Sequence, residues 1–262
     1  MKAQNGRHNG FYDVFGQEYR SVTTIIDRLK KWGLDDWQAS EAINNLFREI
    51  IMPLREGWMT LDQLKETDLE RVRKDAMGES RRNRDKAGDR GREIHEIIHE
   101  FYRCKKDPGV LEGMVKYEPG LTEALQAFRK WDEDYHVEPV WAEHRVYSIA
   151  NQYAGTLDLF ARVILPSEYF ARDDDKIRLY VIDFKSGNID VGSVMQIAAY
   201  AKAVEEMNGT PIDGAALVQL NKETGMPKWK GFEREELELP FLMFMQVKGF
   251  YDMEDIWKGK NE

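Results

Sequence analysis

Apolar residues along the chain recur with two different periods, and the change falls near Pro139. Before it, Ala39, Ala42, Ile43, Leu46, Phe47 and Ile50 return at three- and four-residue steps, the spacing of one helical face. Pro53 is expected to interrupt this run. Leu61 and Leu64 open another segment, and Ile94, Ile97, Ile98 and Phe101 form a compact stripe on a third. Leu121 to Tyr135 reads as an amphipathic helix behind the breaker Glu118-Pro119-Gly120. Upstream of all these, the hydroxyls of Ser21–Thr24 can cap a helix through Ile25, Ile26 and Leu29. Residues 1–20 read as a loose leader.

After Pro139 the period becomes two. Val140 to Tyr147, Thr156 to Leu165 and Leu179 to Phe184 are expected strands. The polar connection Pro166–Arg178 reads as a hairpin loop. Ser193 to Met207 returns to helical spacing, and Gly214 to Leu220 reads as a further strand. Phe241 to Trp257 is an apolar, Met-rich helix with a packing role. A helical first half thus leads into an α/β core.

Composition narrows the classes. The chain has 262 residues, 42% hydrophobic and 11% aromatic, enough for a sizeable core and against disorder. No run approaches the ~20 apolar residues of a membrane span. The first twenty residues lack the apolar stretch of a secretion signal. A single cysteine, Cys104, leaves no set for a disulfide framework, a four-cysteine zinc site or an iron–sulfur cluster. The expectation is a soluble, cytoplasmic protein in a reducing compartment, with no membrane partner. Net charge is −9, yet a partner feels the local potential and not the sum. Between Arg71 and Arg92 nine basic residues face four acidic ones, a local excess of five. Alone, such a run is a solvated helix face.

The chemistry concentrates in Gly155-Thr156-Leu157-Asp158, Ile182-Asp183-Phe184-Lys185 and Gln196-Ile197-Ala198-Ala199-Tyr200. An acid-x-Lys tripeptide is common, and Asp174-Asp175-Lys176 is a second one, in a loop. Asp183 and Lys185 differ because they sit two apart on a strand and share a face, with Ile182 and Phe184 on the other. Asp158, on the preceding strand, can face Asp183. Two carboxylates and an ammonium then meet on an otherwise apolar sheet. A buried ion pair alone would explain two of these charges but not the third. Hard carboxylate oxygens suit Mg2+ or Mn2+, which neutralises phosphate charge and acidifies a water. A lysine can align that water and counter charge developing on phosphorus.

This constellation resembles the PD-(D/E)XK nuclease superfamily in its RecB-like branch. Asp158, Asp183, Lys185, and the Gln196-x3-Tyr200 helix match its motifs one by one. Gly91-Arg92-Glu93-Ile94-His95 matches the branch's upstream Gly-x3-His. Ser21-Val22-Thr23 resembles a segment of mitochondrial genome maintenance exonucleases and phage-type exonucleases, a shorter and less specific match. The resemblance covers residues 88–205 and, more loosely, 21–30. It implies a restriction-endonuclease-like core, a mixed central sheet flanked by helices, over residues 93–262. A helical region over 21–92 would precede it as a possible cap. It implies a metal held by His95, Asp158, Asp183 and the backbone carbonyl of Phe184, with Lys185 orienting the water. Glu143, at a frequently acidic position of the branch, and Gln196 and Tyr200 take supporting or DNA-side roles. The basic segment, with Arg81, Arg82, Arg84 and Arg90, would lead phosphates toward the metal. The implied activity is a Mg2+- or Mn2+-dependent deoxyribonuclease in replication, recombination or repair, most simply an exonuclease. It would act on single-stranded DNA or DNA with free ends; no partner helicase or recombination protein is specified.

Two other readings use some of the same residues. A catalytically silent nucleic-acid-binding subunit of a recombination complex would need the basic tract but not the acid, acid, lysine and histidine set. His95-Glu96-Ile97-Ile98-His99 also fits the His-Glu-x-x-His zinc motif of metalloproteases, which would leave Asp158, Asp183 and Lys185 without a role.

Overall fold

A computed structural model of the protein describes residues 7–29, 44, 46–60, 65–114, 120–165 and 177–259. The chain divides into two compact units, Met1–Leu29 with Glu93–Glu262, and Lys30–Arg92. Residues 21–29, expected with the helical region, fall in the same unit as residues 93–262.

The opening residues also depart from expectation. Residues 7–21 are no leader but three strands, β1 (Arg7–His8), β2 (Phe11–Val14) and β3 (Gln17–Ser21), paired antiparallel. Tyr12, Val14 and Tyr19 are buried while Asp13 and Glu18 are exposed. That alternation is too short, and too interrupted by Asn9-Gly10 and Phe15-Gly16, to announce itself in the sequence. Helix α1 (Val22–Ile26) follows, and Ser21 Oγ caps it by accepting from Thr24 N at 3.4 Å.

In the second unit, a π-helical turn over Phe47–Ile51 runs into α2 (Met52–Arg55). Pro53 therefore does not interrupt the run; it occupies the first turn of α2, where its missing N–H costs little. Residues 30–43 and 61–64, and with them Ala39, Ala42, Ile43, Leu61 and Leu64, lie outside the described residues. Helix α3 (Glu66–Arg103) is longer than the separate segments expected, and the part from Glu93 onward belongs to the first unit.

The rest of the first unit comprises α4 (Pro108–Met114), α5 (Leu121–Asp134), β4 (Glu138–Ser148), β5 (Tyr153–Ile164), β6 (Ile177–Lys185) and α6 (Val191–Asn208). It ends with β7 (Gly214–Leu220), β8 (Pro227–Glu233) and α7 (Glu238–Gly259). Residues 166–176, including the second acid-x-Lys tripeptide, lie outside the described residues. The strands form one mixed sheet in the order β1-β2-β3-β5-β6-β7-β8, with β4 also paired to β5. The β3–β5 and β6–β7 pairs are parallel and the others antiparallel.

Helices cover both faces of this sheet. On one side Ile94, Ile97, Ile98 and Phe101 of α3 pack with Phe128 and Trp131 of α5 over Leu159, Ile182, Phe184 and Val218. On the other, Val22 and Ile25 of α1, Ile197 and Tyr200 of α6 and Phe244 of α7 pack over Val146, Val181 and Leu217. Side chains such as Phe128 and Ile182, fully removed from water, each contribute about 1.5–3 kcal/mol. The unit is thus an α/β sandwich in which β5 and β6 are central and buried. No helix among the described residues is long and apolar enough to cross a membrane.

Candidate active site

The strand register builds the site at one point of the sheet. β5 and β6 are paired from Ile164↔Ile177 to Leu159↔Ile182, so the next facing residues are Asp158 and Asp183. Here the ladder stops and a side chain takes over: Phe184 N donates to Asp158 Oδ2 at 2.7 Å. Asp183 and Lys185 project from the face opposite Ile182 and Phe184, which fill the α3–α5 layer. Asp183 is 1% exposed, and Lys185 Nζ lies 2.7 Å from its Oδ2. Lys185 also donates to Gln196 Oε1 at 3.1 Å, and Gln196 Nε2 donates to Tyr200 OH at 3.3 Å. The lysine, which can only donate, fixes the amide oxygen toward itself, and the amide nitrogen is then anchored on the tyrosine hydroxyl. Its ring in turn lies against Gly155, where a Cβ would come within 2.5 Å of Cε1.

Glu143 enters from the other side of β5. The β4–β5 register pairs Ala142↔Leu159 and His144↔Leu157 and leaves Glu143 and Asp158 facing each other without ladder bonds. Glu143 holds φ +47° in mid-strand, a left-handed conformation that costs a non-glycine residue roughly 1–2 kcal/mol. Such strain persists where the surroundings impose it. His95, on α3, brings Nδ1 to 3.3 Å from Asp158 Oδ1. One donor atom each from His95, Glu143 and Asp158 lies within 4.8 Å of the other two.

The electrostatics follow from three carboxylates sharing one place, with Asp183 buried and Asp158 and Glu143 half-buried. Asp158 raises His95 to about 9, against the opposing effect of burial. Burial raises Glu143 to about 7, with Asp158 adding to the shift. Burial likewise raises Asp183 to about 6, the attraction of Lys185 opposing and the charge of Asp158 assisting. Asp158 is also pushed up by burial, but His95, Lys185 and the Phe184 N–H together hold it below the usual carboxylate range. Burial pulls Lys185 down, and Asp183 and Asp158 more than restore it, so its ammonium is kept. Neighbouring carboxylates cannot all ionise cheaply where water is scarce, and the protons that Glu143 and His95 hold are those a cation would displace.

The structure thus brings together His95, Glu143, Asp158, Asp183, Lys185, Gln196 and Tyr200, all in the first unit. Two points differ from the sequence reading. Glu143, given a supporting role, is one of the three grouped donors, whereas Asp183 is occupied by Lys185. The sign in sequence was the resemblance of Glu143 to a frequently acidic position of the branch, and nothing signalled the left-handed backbone that aims it. His99 is not in the group; its Nδ1 is buried without a hydrogen-bond partner among the described residues. Arg90 is exposed on α3 in the second unit. The side chains of Arg81, Arg82 and Arg84 lie outside the described residues. The donor set, carboxylate oxygens with one imidazole, suits a hard or borderline divalent ion. No protein-family model matches the chain, and no curated protein matches it.

Proposed function

We propose that the protein is a Mg2+- or Mn2+-dependent nuclease with a PD-(D/E)XK active site, hydrolysing phosphodiester bonds in DNA and preferring free ends. The observation that supports it most is the meeting of Asp158, Asp183 and Lys185 at the end of the β5–β6 ladder with His95 and Glu143 beside them. An ion pair serving only stability would not recruit two further carboxylates and an imidazole into a half-buried site.

Asp158, His95 and Glu143, with Asp183 and the Phe184 carbonyl by resemblance to the family, would hold a divalent ion, which would supply phosphate charge neutralisation and a more acidic water. The residues of the chain do the rest. Lys185 keeps its proton and places a fixed positive charge where charge grows on the phosphoryl oxygens. Gln196 orients Lys185, and Tyr200 orients Gln196. Asp158 is itself oriented by the Phe184 N–H, so its second oxygen is the one turned toward His95. The preference for ends rests on the resemblance to exonucleases and on the basic residues of α3, whose exposed members include Lys86 and Arg90.

The test is a digestion series on end-labelled linear and covalently closed DNA, single- and double-stranded, with Mg2+, Mn2+ or chelator. Linear strands are expected to disappear only with metal, while closed single-stranded circles survive. Cutting of circles would remove the end requirement and leave the nuclease. Metal-dependent binding with no cleavage of any substrate would favour the silent binding subunit instead.

A further inference from the structure

Helix α7 carries more apolar side chains than its seat on the core uses. Its inner face is filled: Phe244 is fully buried, and Phe241, Met245 and Val247 pack in the same layer. The outer face differs in exposure but not in chemistry. Its positions repeat every seven residues, as Leu239, Gln246 and Met253; Leu242, Gly249 and Ile256; Met243 and Phe250. None is charged. Leu239, Leu242, Met243, Phe250, Met253 and Ile256 are 41–71% exposed. A helix face turned to water is ordinarily polar. Among the described charged groups of this helix, Lys248 pairs with Asp252 at 2.6 Å and Glu254 with Arg28 at 3.2 Å.

Gly249 is a second, independent observation. It sits inside α7, where glycine is disfavoured relative to alanine. A Cβ there would meet nothing within 4 Å, so packing within the described residues does not call for it. Close approach of another backbone would.

We infer that the outer face of α7 is where two copies of this chain join, antiparallel about a two-fold axis beside Gly249. Three features select a second copy. Leu242 and Ile256 stand seven residues on either side of Gly249, so an antiparallel pair sets Leu242 against the partner's Ile256 twice over, as an isologous contact requires. The six exposed side chains offer on the order of 600 Å2 of apolar surface, at the upper end for a monomer's largest patch and approaching the ~800 Å2 each partner gives to a standard interface. A chain of net charge −9 can meet itself only where like charges are not opposed, and this face has none.

Sedimentation equilibrium of the full chain from about 1 to about 100 μM, a range that brackets micromolar affinity, tests the inference. A dimer is expected. Leu242→Glu with Phe250→Glu should raise its dissociation constant at least about a hundredfold, as loss of central contacts does. Gly249→Leu, which has open space within one chain, should raise it at least about tenfold without lowering the melting temperature of the monomer. With Cys104→Ser as background, Gly249→Cys should oxidise to a linked pair and Met243→Cys should not. A wild-type monomer at the top concentration overturns the inference, as does a dimer indifferent to the two glutamates. If that monomer also melts lower with the glutamates, the face is covered by the chain's own residues. Self-linking at Met243 overturns the antiparallel arrangement.

Discussion

The first unit pairs a lysine with a buried carboxylate in two places, with opposite consequences. On one side of the sheet Asp132 of α5 accepts from Tyr102 OH at 2.9 Å and pairs with Lys106 at 2.6 Å, while Lys106 also donates to Val137 O at 3.0 Å. One carboxylate meets one cation and one hydroxyl, both oxygens are used, and the charges cancel. On the other side Lys185 pairs with Asp183 just as closely, but Asp158 and Glu143 are added with only His95 to offset them. The same residue types are a closed pair in one place and an overfull one in the other. Burial of a charge therefore says little about role; surplus charge of one sign, held by strained or interrupted backbone, says much.

The sharpest way to break this comparison is to neutralise an acid in each place. Asp183→Asn or Lys185→Ala should cut turnover at least about a hundredfold, the usual loss for a preorganised charge. In metal-free protein Asp183→Asn should not lower the melting temperature, because it removes one of three crowded carboxylates. Asp132→Ala should do the reverse, leaving turnover near wild type and destabilising by on the order of 2 kcal/mol, less than a fully buried pair because Lys106 can reach water. Thermal melts and turnover of the three variants, measured together, decide it. If Asp132→Ala abolishes turnover without unfolding, or Asp183→Asn retains it, the two places have been assigned wrongly.

A smaller effect separates them by pH. His95 is raised from 6.5 to about 9, and Glu143 from 4.5 to about 7. Both folded-state values lie above the unfolded ones, so the folded protein holds protons that the unfolded chain releases. The stability His95 contributes is full below about 6.5 and gone above about 9, and that of Glu143 is lost as pH rises through about 7. Metal-free protein should therefore melt several degrees lower at about pH 9 than at about pH 6, and Glu143→Gln should flatten that slope. Mn2+ should reverse it, since its ligands bind once deprotonated and its affinity rises over the same window. Melting temperatures with and without Mn2+ that run parallel across this range would show that no ion competes for these protons.

Much of this was legible in the sequence, for a physical reason that also marks where legibility ends. A long periodic segment such as Leu121–Asp134 announces itself, because many residues repeat one burial pattern. Asp183 and Lys185 could be placed on one face because strand alternation leaves no other choice. The β2–β3 hairpin was missed because four or five residues per strand carry too little period, and its partner β5 lies more than 130 residues away. Glu143 was underweighted because its direction comes from one left-handed residue, which no pattern of apolar positions encodes. The Tyr102–Asp132–Lys106 triad was invisible because Asp132 lies on a separate element with no recurring spacing to the other two.

The finest distinction is between groups that hold the site's geometry and groups that hold the fold. Gly155 and Tyr200 belong to both, and their effects can be pulled apart. Gly155→Ala forces its Cβ onto Tyr200 Cε1, an overpacking that should cost about 1–3 kcal/mol. As the ring shifts, the amide of Gln196 loses its anchor and Lys185 its alignment, so turnover should fall by about tenfold, one 1.4 kcal/mol step. Tyr200→Phe keeps the packing and removes only the hydroxyl, so turnover should fall by a few-fold while stability changes by about 1 kcal/mol or less. In the double variant Gly155→Ala with Tyr200→Leu, the smaller side chain relieves the clash without restoring the hydroxyl. Stability should then recover relative to Gly155→Ala alone, a favourable coupling between neighbours, while turnover stays low. If turnover recovers together with stability, Tyr200 acts by packing alone, and the chain of contacts from Gly155 through Gln196 to Lys185 does not position the lysine.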